Sequence, residues 1–216
     1  MKDLKIPELP VALLGMRLLN MLKLNILFVL CCLPIITIGP ALSALYYVVN
    51  LYAEEKSDEV AKPFFRAFRR DFWQGLLLGL FVLFLTGLAF YNGLFLFANY
   101  AGRIHPIWIP FLVLLLFLAA MYVYSFPMLS RYQLHFMEIL KNSLILFWRN
   151  LWASLGVLLV HSIPFLLVYL YPGAAAEIIF LWILIGCSLT ASVSIKIIMK
   201  IFNKEQEKSD SGHTPA

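Results

Sequence analysis

A histidine in the middle of an apolar run is the first residue of this chain whose chemistry asks for an explanation. His161 stands near the centre of Trp152–Tyr171, just before Ser162 and Pro164. An imidazole there could relay protons or line a substrate path, because it titrates near neutrality and intramembrane charge is costly. The plainer alternative, which the residues favour, is a neutral ring bonded to a carbonyl that Pro164 leaves free. His135 and Glu138 lie three apart and share a helix face with Arg131. Two residues are too few for a metal site, and their order is the reverse of the Glu-x-x-His di-metal motif, so a solvated connector face is expected. Cys31 and Cys32 would point about 100° apart on a helix, poor geometry for a disulfide or a shared metal. With Cys187 they read as apolar packing residues. His105 and His213 have no evident partner. The chain has no glycine-rich phosphate loop, no nucleophile elbow and no His-Glu-x-x-His. No catalytic residue, metal ligand or cofactor is predicted, and the expectation is a protein that is not an enzyme.

The elements that carry these residues follow from composition. Of 216 residues 62% are hydrophobic and 13% charged, with a mean hydropathy of +0.86. Soluble domains sit at roughly 45–50% apolar. Five apolar stretches stand out: Leu24–Asn50, Gly75–Phe97, Ile107–Phe126, Trp152–Tyr171 and Glu177–Met199. Each reaches the ~20 residues needed to cross a ~30 Å hydrocarbon layer. The predicted fold class is all-α: a polytopic helical membrane protein with five transmembrane helices plus N-terminal and cytoplasmic amphipathic helices. One membrane domain over residues 1–202 is followed by a disordered tail at 203–216. This excludes a secreted disulfide scaffold, a nucleic-acid-binding domain and a soluble catalytic core. The net charge of +5 is then explained by topology, with the bilayer rather than nucleic acid as partner. No cleavable leader is expected, since Ala41-Leu42-Ser43-Ala44, the closest approach to a cleavage site, has Leu42 where a small residue is needed.

Along the chain, Pro10–Lys23 reads as a membrane-surface helix, with Arg17, Asn20 and Lys23 in one sector and Val11, Leu14, Leu18, Met21 and Leu22 in another. The first span contains Pro34, Gly39 and Pro40, so it must kink or break, with a hydroxyl such as that of Thr37 meeting the freed carbonyls. Next, Phe64, Phe65, Phe68 and Phe72 share one helical face and Arg66, Arg69 and Arg70 another, with Trp73 following. That pattern describes a helix lying at the headgroup level. Gly75 and Gly79 would let a second helix approach closely. Glu177 and Lys196 lie near the ends of the fifth stretch and can snorkel. Two blocks echo each other: Pro40-Ala41-Leu42-Ser43 with Pro127-Met128-Leu129-Ser130, and Phe68–Trp73 with Phe147–Trp152. A parallel duplication would leave such a trace, and so would the general recurrence of Arg and aromatics at membrane entry points.

Counting Lys and Arg sets orientation. A full first crossing puts twelve on the side of the C-terminus and five opposite, favouring a cytoplasmic C-terminus and an outer N-terminus. A re-entrant hairpin bent at Leu33–Pro40 puts sixteen on one side and leaves only Arg103 opposite. The charge rule prefers the hairpin and the 27-residue length prefers the crossing, which is the expectation adopted.

Leu24-Asn25-Ile26-Leu27-Phe28, Leu33–Pro40 and the Ala41-Leu42-Ser43-Ala44-Leu45-Tyr46 that follows resemble the signature of the YesL-like family, small bacterial integral membrane proteins of unknown function. The match is carried by residues 10–80, with Phe28 where Trp is common. The resemblance implies about five spans, a bacterial cytoplasmic membrane and a link to carbohydrate uptake, and it implies no catalytic residues. Gly39 and Pro40 would then shape the break, and Asn25 would bond across helices. The expected function is a non-enzymatic accessory or regulatory partner of a carbohydrate transporter. The alternative is a small secondary transporter or pore with a midplane site at the broken first span.

Overall fold

The computed structural model describes residues 10–54, 56, 59–100, 105–132 and 134–211, with backbone alone at 10–14 and 207–211. Arg103 and His213 lie outside the described residues. Nine α-helices are described: α1 Pro10–Cys32, α2 Ile38–Ala53, α3 Ala61–Arg70, α4 Phe72–Tyr100, α5 Trp108–Arg131, α6 Phe136–Arg149, α7 Leu151–Leu170, α8 Ala175–Leu181 and α9 Cys187–Ser211. Among the described residues six segments are long and apolar enough to cross a membrane: Gly15–Cys32, Ile35–Ala53, Phe72–Tyr100, Trp108–Arg131, Leu151–Leu170 and Pro172–Gln206. Their outer faces are apolar, as at Phe84, Phe90, Leu159 and Phe165. Their inner faces hold Ser43, Ser125, Ser154, Ser188 and Ser194. Small residues inside and large apolar ones outside suit a lipid solvent, where close packing rather than water exclusion joins helices.

The first stretch departs from expectation. Instead of one 27-residue span there are two helices, and the surface helix at the N-terminus is continuous with the first of them. The reason is local. Pro34 and Pro40 lack amide donors, and Ile35–Thr37 tightens into a 3-10 turn. The Thr37 hydroxyl lies 2.6 Å from the Cys31 carbonyl and 2.7 Å from that of Pro34. Leu33, Ile35 and Ile36 at this break are all exposed.

The break packs against the start of α4. Gly39 fits between Gly75 and Gly79, and Ser43, one turn on, reaches Asp71. Pairing 39 with 75–79 and 43 with 71 means that α2 runs counter to α4. The break therefore stands about 10 Å along α4 from Phe72, far short of its end at Tyr100. Residues 20–27 of α1 border a cleft with residues 59–62, which follow α2. The two helices thus form a hairpin, closed at Leu33–Thr37 and open toward α3.

Two cores share α9. Leu24, Leu45, Val48 and Phe64 pack with Ile195, while Met121, Tyr124, Phe147 and Val157 pack with Ile198. The limb leading into α9 is bent. His161 and Tyr171 are about 15 Å apart along α7, whereas Pro172–Ser194 would cover about 33 Å if straight. Yet Ser194 Oγ lies 3.5 Å from His161 Nδ1. The π-helical segment Trp182–Gly186 lies in this limb and meets α1 through the Asn25 bond to the Ile183 carbonyl. A Cβ on Gly186 would come within 2.3 Å of the Trp182 indole, so glycine lets that ring fold back.

The two pairs of echoing blocks fare differently from one another. Pro40 opens α2 whereas Pro127 lies near the end of α5. The connectors do correspond. Asp71 N–H bonds the Ala67 carbonyl at 2.9 Å, and the Asp71 carbonyl accepts from Gly75 N–H at 2.7 Å. Asn150 repeats this with Leu146 and Ser154 at 3.0 and 2.9 Å. The tail also departs from expectation: α9 continues to Ser211, leaving only 212–216 outside the described residues. Lys204, Glu205 and Gln206 are good helix formers. Arg149 pairs with Glu205 at 2.7 Å, and Arg131 reaches Asn203 and Gln206.

Candidate functional site

The densest polar cluster lies where α2, α3, α4 and α5 meet. Asp71, between α3 and α4, is 5% exposed. It accepts from Ser43 Oγ at 2.6 Å and from Arg70 Nε and Nη2 at 2.6 and 2.8 Å. Arg70 Nη2 also donates to the Ser130 carbonyl at 2.9 Å, and its guanidinium lies 5.0 Å from the Tyr47 ring centre. The bond to Asp71 raises the Arg70 pKa above its ordinary value, against the opposing effect of burial, so this cation stays charged. One turn on, Gln74 donates to the Leu134 carbonyl. These bonds tie the α3–α4 junction to the α5–α6 junction, at one end of the bundle.

This corrects the expected division of α3 into faces. Phe64 is fully buried and stacks on Phe68, which meets Phe72, whereas Phe65 is exposed. Arg66, Arg69 and Arg70 are all exposed, and Arg70 also bonds Asp71 and the Ser130 carbonyl. Trp73, at 78% exposure, stands outward at the start of α4.

The second cluster surrounds Asn25, which is fully buried. Its Nδ2 donates to the Ile183 carbonyl, and its Oδ1 accepts from Ser188 N–H at 2.8 Å. Ser188 Oγ reaches back to the Met21 carbonyl at 3.2 Å. A π segment leaves backbone groups without their usual i→i−4 partners, and one amide side chain meets both kinds here. Asn25→Leu removes both bonds while keeping the shape. The expected cost is about 1–3 kcal/mol, read as a lowered unfolding midpoint in detergent. An unchanged midpoint would show that this amide does not hold α1 to the π segment.

His161 sits apart from both. Its Nδ1 is 2.9 Å from the Val157 carbonyl, in its own helix, and its ring meets Tyr122 edge-on at 5.2 Å. The carbonyl it bonds is thus the one four residues back, not one released by Pro164. His161 lies between α5 and α9 while the break at Leu33–Thr37 lies on α4, so the structure does not bring these two expected site elements together. His135 and Glu138 form the start of α6: the Glu138 carboxylate accepts the His135 backbone N–H at 2.9 Å. Among the described residues no group of three or more His, Cys, Asp or Glu could hold a metal ion. Cys31, Cys32 and Cys187 are half-buried free thiols packed against the first core.

Sequence reasoning passed over Asp71, Ser43, Tyr47 and Ser188. One signal pointed to Asp71: it is the only acidic residue between Glu59 and Glu138. A lone carboxylate between two arginines and a long apolar helix is a pairing group awaiting a partner. The serines carried no such signal, since nothing in sequence distinguishes a serine that crosses to another helix from one that bonds its own backbone.

An all-helical bundle with apolar outer faces and inward polar clusters defines a polytopic membrane protein. Residues 21–94 match the family model described as "Protein of unknown function, DUF624". The YesL-like family is a DUF624 family, so the resemblance read from the sequence holds over this stretch, which runs from α1 into α4. It includes Asn25, Gly39, Ser43, Arg70, Asp71, Gly75 and Gly79. No curated protein and no solved structure matches the chain.

Proposed function

We propose that this protein is a non-enzymatic accessory or regulatory partner of a carbohydrate uptake system in the bacterial cytoplasmic membrane. The observation that carries the reading is where the polar residues go. Asn25, Ser43, Arg70, Asp71 and Gln74 are all engaged in bonds between helices. Arg66, Arg69 and Lys141, with Phe65 and Trp148 beside them, stay exposed on α3 and α6, the two connectors at one end of the bundle. Aromatic flanks seated in the headgroups and basic residues facing water make a platform for a protein partner. A tagged copy isolated from native membranes should carry a component of a sugar transporter, and deletion should lower uptake of that sugar. Isolation without any such component, together with unchanged uptake, counts against the role.

The same arrangement favours a re-entrant first hairpin. The break stands about 10 Å along α4, so α1 and α2 enter and leave the bilayer on one side. With α4, α5, α7 and the α8–α9 limb crossing, both termini then lie in the cytoplasm with sixteen of the seventeen Lys and Arg. Topology reporters fused before residue 1 and after residue 216 should both report the cytoplasm. An outer signal from the first fusion contradicts this path.

A second reading, a small secondary transporter, draws on the His161–Tyr122–Ser194 cluster. It requires a pH-dependent flux in liposomes that His161→Ala abolishes. Equal flux from both proteins, or none, removes it.

A further inference from the structure

A cleft of about 530 Å³ lies between α1 and the start of α3. Its polar rim holds Lys23, Lys62 and Glu59, and its floor is Ile26, Leu27 and Val60. We propose that this cleft binds one acidic glycerophospholipid, with the phosphate between Lys23 and Lys62 and an acyl chain along Ile26 and Leu27. Three features argue for that occupant. Among the described lining residues two ammonium groups stand against one carboxylate, an excess of positive charge that complements the single negative charge of phosphatidylglycerol. The Lys62 ammonium is only 3.3 Å from Glu59 yet 77% exposed, so it can turn to an added anion at little cost. The lining also changes in the right order: Lys23 is the last charged residue of α1, and the apolar residues follow it into the bilayer. A soluble anion would use the lysines and leave the apolar floor uncovered, whereas a lipid covers both.

The test uses the full-length protein in neutral detergent, followed through its tryptophan fluorescence on heating. Phosphatidylglycerol should raise the unfolding midpoint in a saturable way, and phosphatidylcholine should not. Glycerol phosphate and inorganic phosphate, which have the charge without the chains, should have no effect at the same concentrations. The double variant Lys23→Gln/Lys62→Gln should weaken the phosphatidylglycerol effect on the order of tenfold in half-saturating concentration, while Lys200→Gln leaves it unchanged. Ile26→Trp keeps both lysines and fills the floor, and should weaken the effect as well. Equal stabilisation by phosphatidylcholine, equal stabilisation by inorganic phosphate, or full lipid response in both cleft variants overturns the proposal.

Discussion

Asp71→Ala should destabilise the protein by about 3 kcal/mol, among the largest single effects expected in the chain. Removing one partner of a buried ion pair typically costs 3–5 kcal/mol, because the other charge is left without compensation. The lower figure fits here, since the Arg70 side chain is 35% exposed and retains the Ser130 carbonyl and the Tyr47 ring. Ser43→Ala, which deletes one neutral donor to the carboxylate, should cost about 1 kcal/mol. Asp71→Ala/Arg70→Met should recover part of the loss by removing the stranded cation as well. Chemical unfolding in mixed micelles reads all three. A parent-like midpoint for Asp71→Ala would mean that the carboxylate does not hold the α2–α4 junction.

Gly39→Ala should disrupt that same junction by a steric route. A Cβ on Gly39 would lie 1.9 Å from the Gly75 carbonyl oxygen and 2.9 Å from the Gly79 Cα. Both obstacles are backbone, so no rotamer change relieves them and α2 must move off α4. Overpacking of this kind costs about 1–3 kcal/mol, and the upper end is expected with backbone on both sides. Gly87→Ala is the matched control in the same helix system. Nothing lies within 4 Å of a Cβ there, and replacing glycine inside a helix gains about 0.5–1 kcal/mol. Comparing the two midpoints separates helix propensity from close approach. Equal behaviour would remove the tight α2–α4 contact from the account.

Much of this architecture was legible because lipid imposes so few solutions. Runs of twenty apolar residues can only be helices there, and they located α4, α5 and α7 to within a turn or two, while the fifth run overlaps both α8 and the first half of α9. Gly75 and Gly79 announced a close approach, and Pro34, Thr37 and Pro40 announced a break. The partner of that glycine pair was not legible, because Gly39 is one turn of a different helix and spacing says nothing about what crosses it. The division of the first stretch followed the same pattern. Proline chemistry required an interruption, but only packing against α4 sets its depth. The π segment at Trp182–Gly186 left no periodic trace, since one extra residue per turn shifts a uniformly apolar face without changing its composition. The sequence places Arg70 on the basic face of α3 and gives Asp71 no role, because adjacent opposite charges at a helix end look alike whether water or protein surrounds them. Composition alone predicts a loose tail for the charged end of α9, whose bonds to Arg131 and Arg149 come from helices more than fifty residues away in sequence.

The depth of the break is the point on which the hairpin, the shared side of the two termini and the lipid cleft all rest. Ile36→Cys, in a background where Cys31, Cys32 and Cys187 are replaced by alanine, can be probed in sealed vesicles of either orientation. A membrane-impermeant maleimide should fail to label residue 36 from either face, while a lipid-soluble maleimide labels it. Labelling by the impermeant reagent from the face opposite residue 216 would place the break at the far surface and contradict the account.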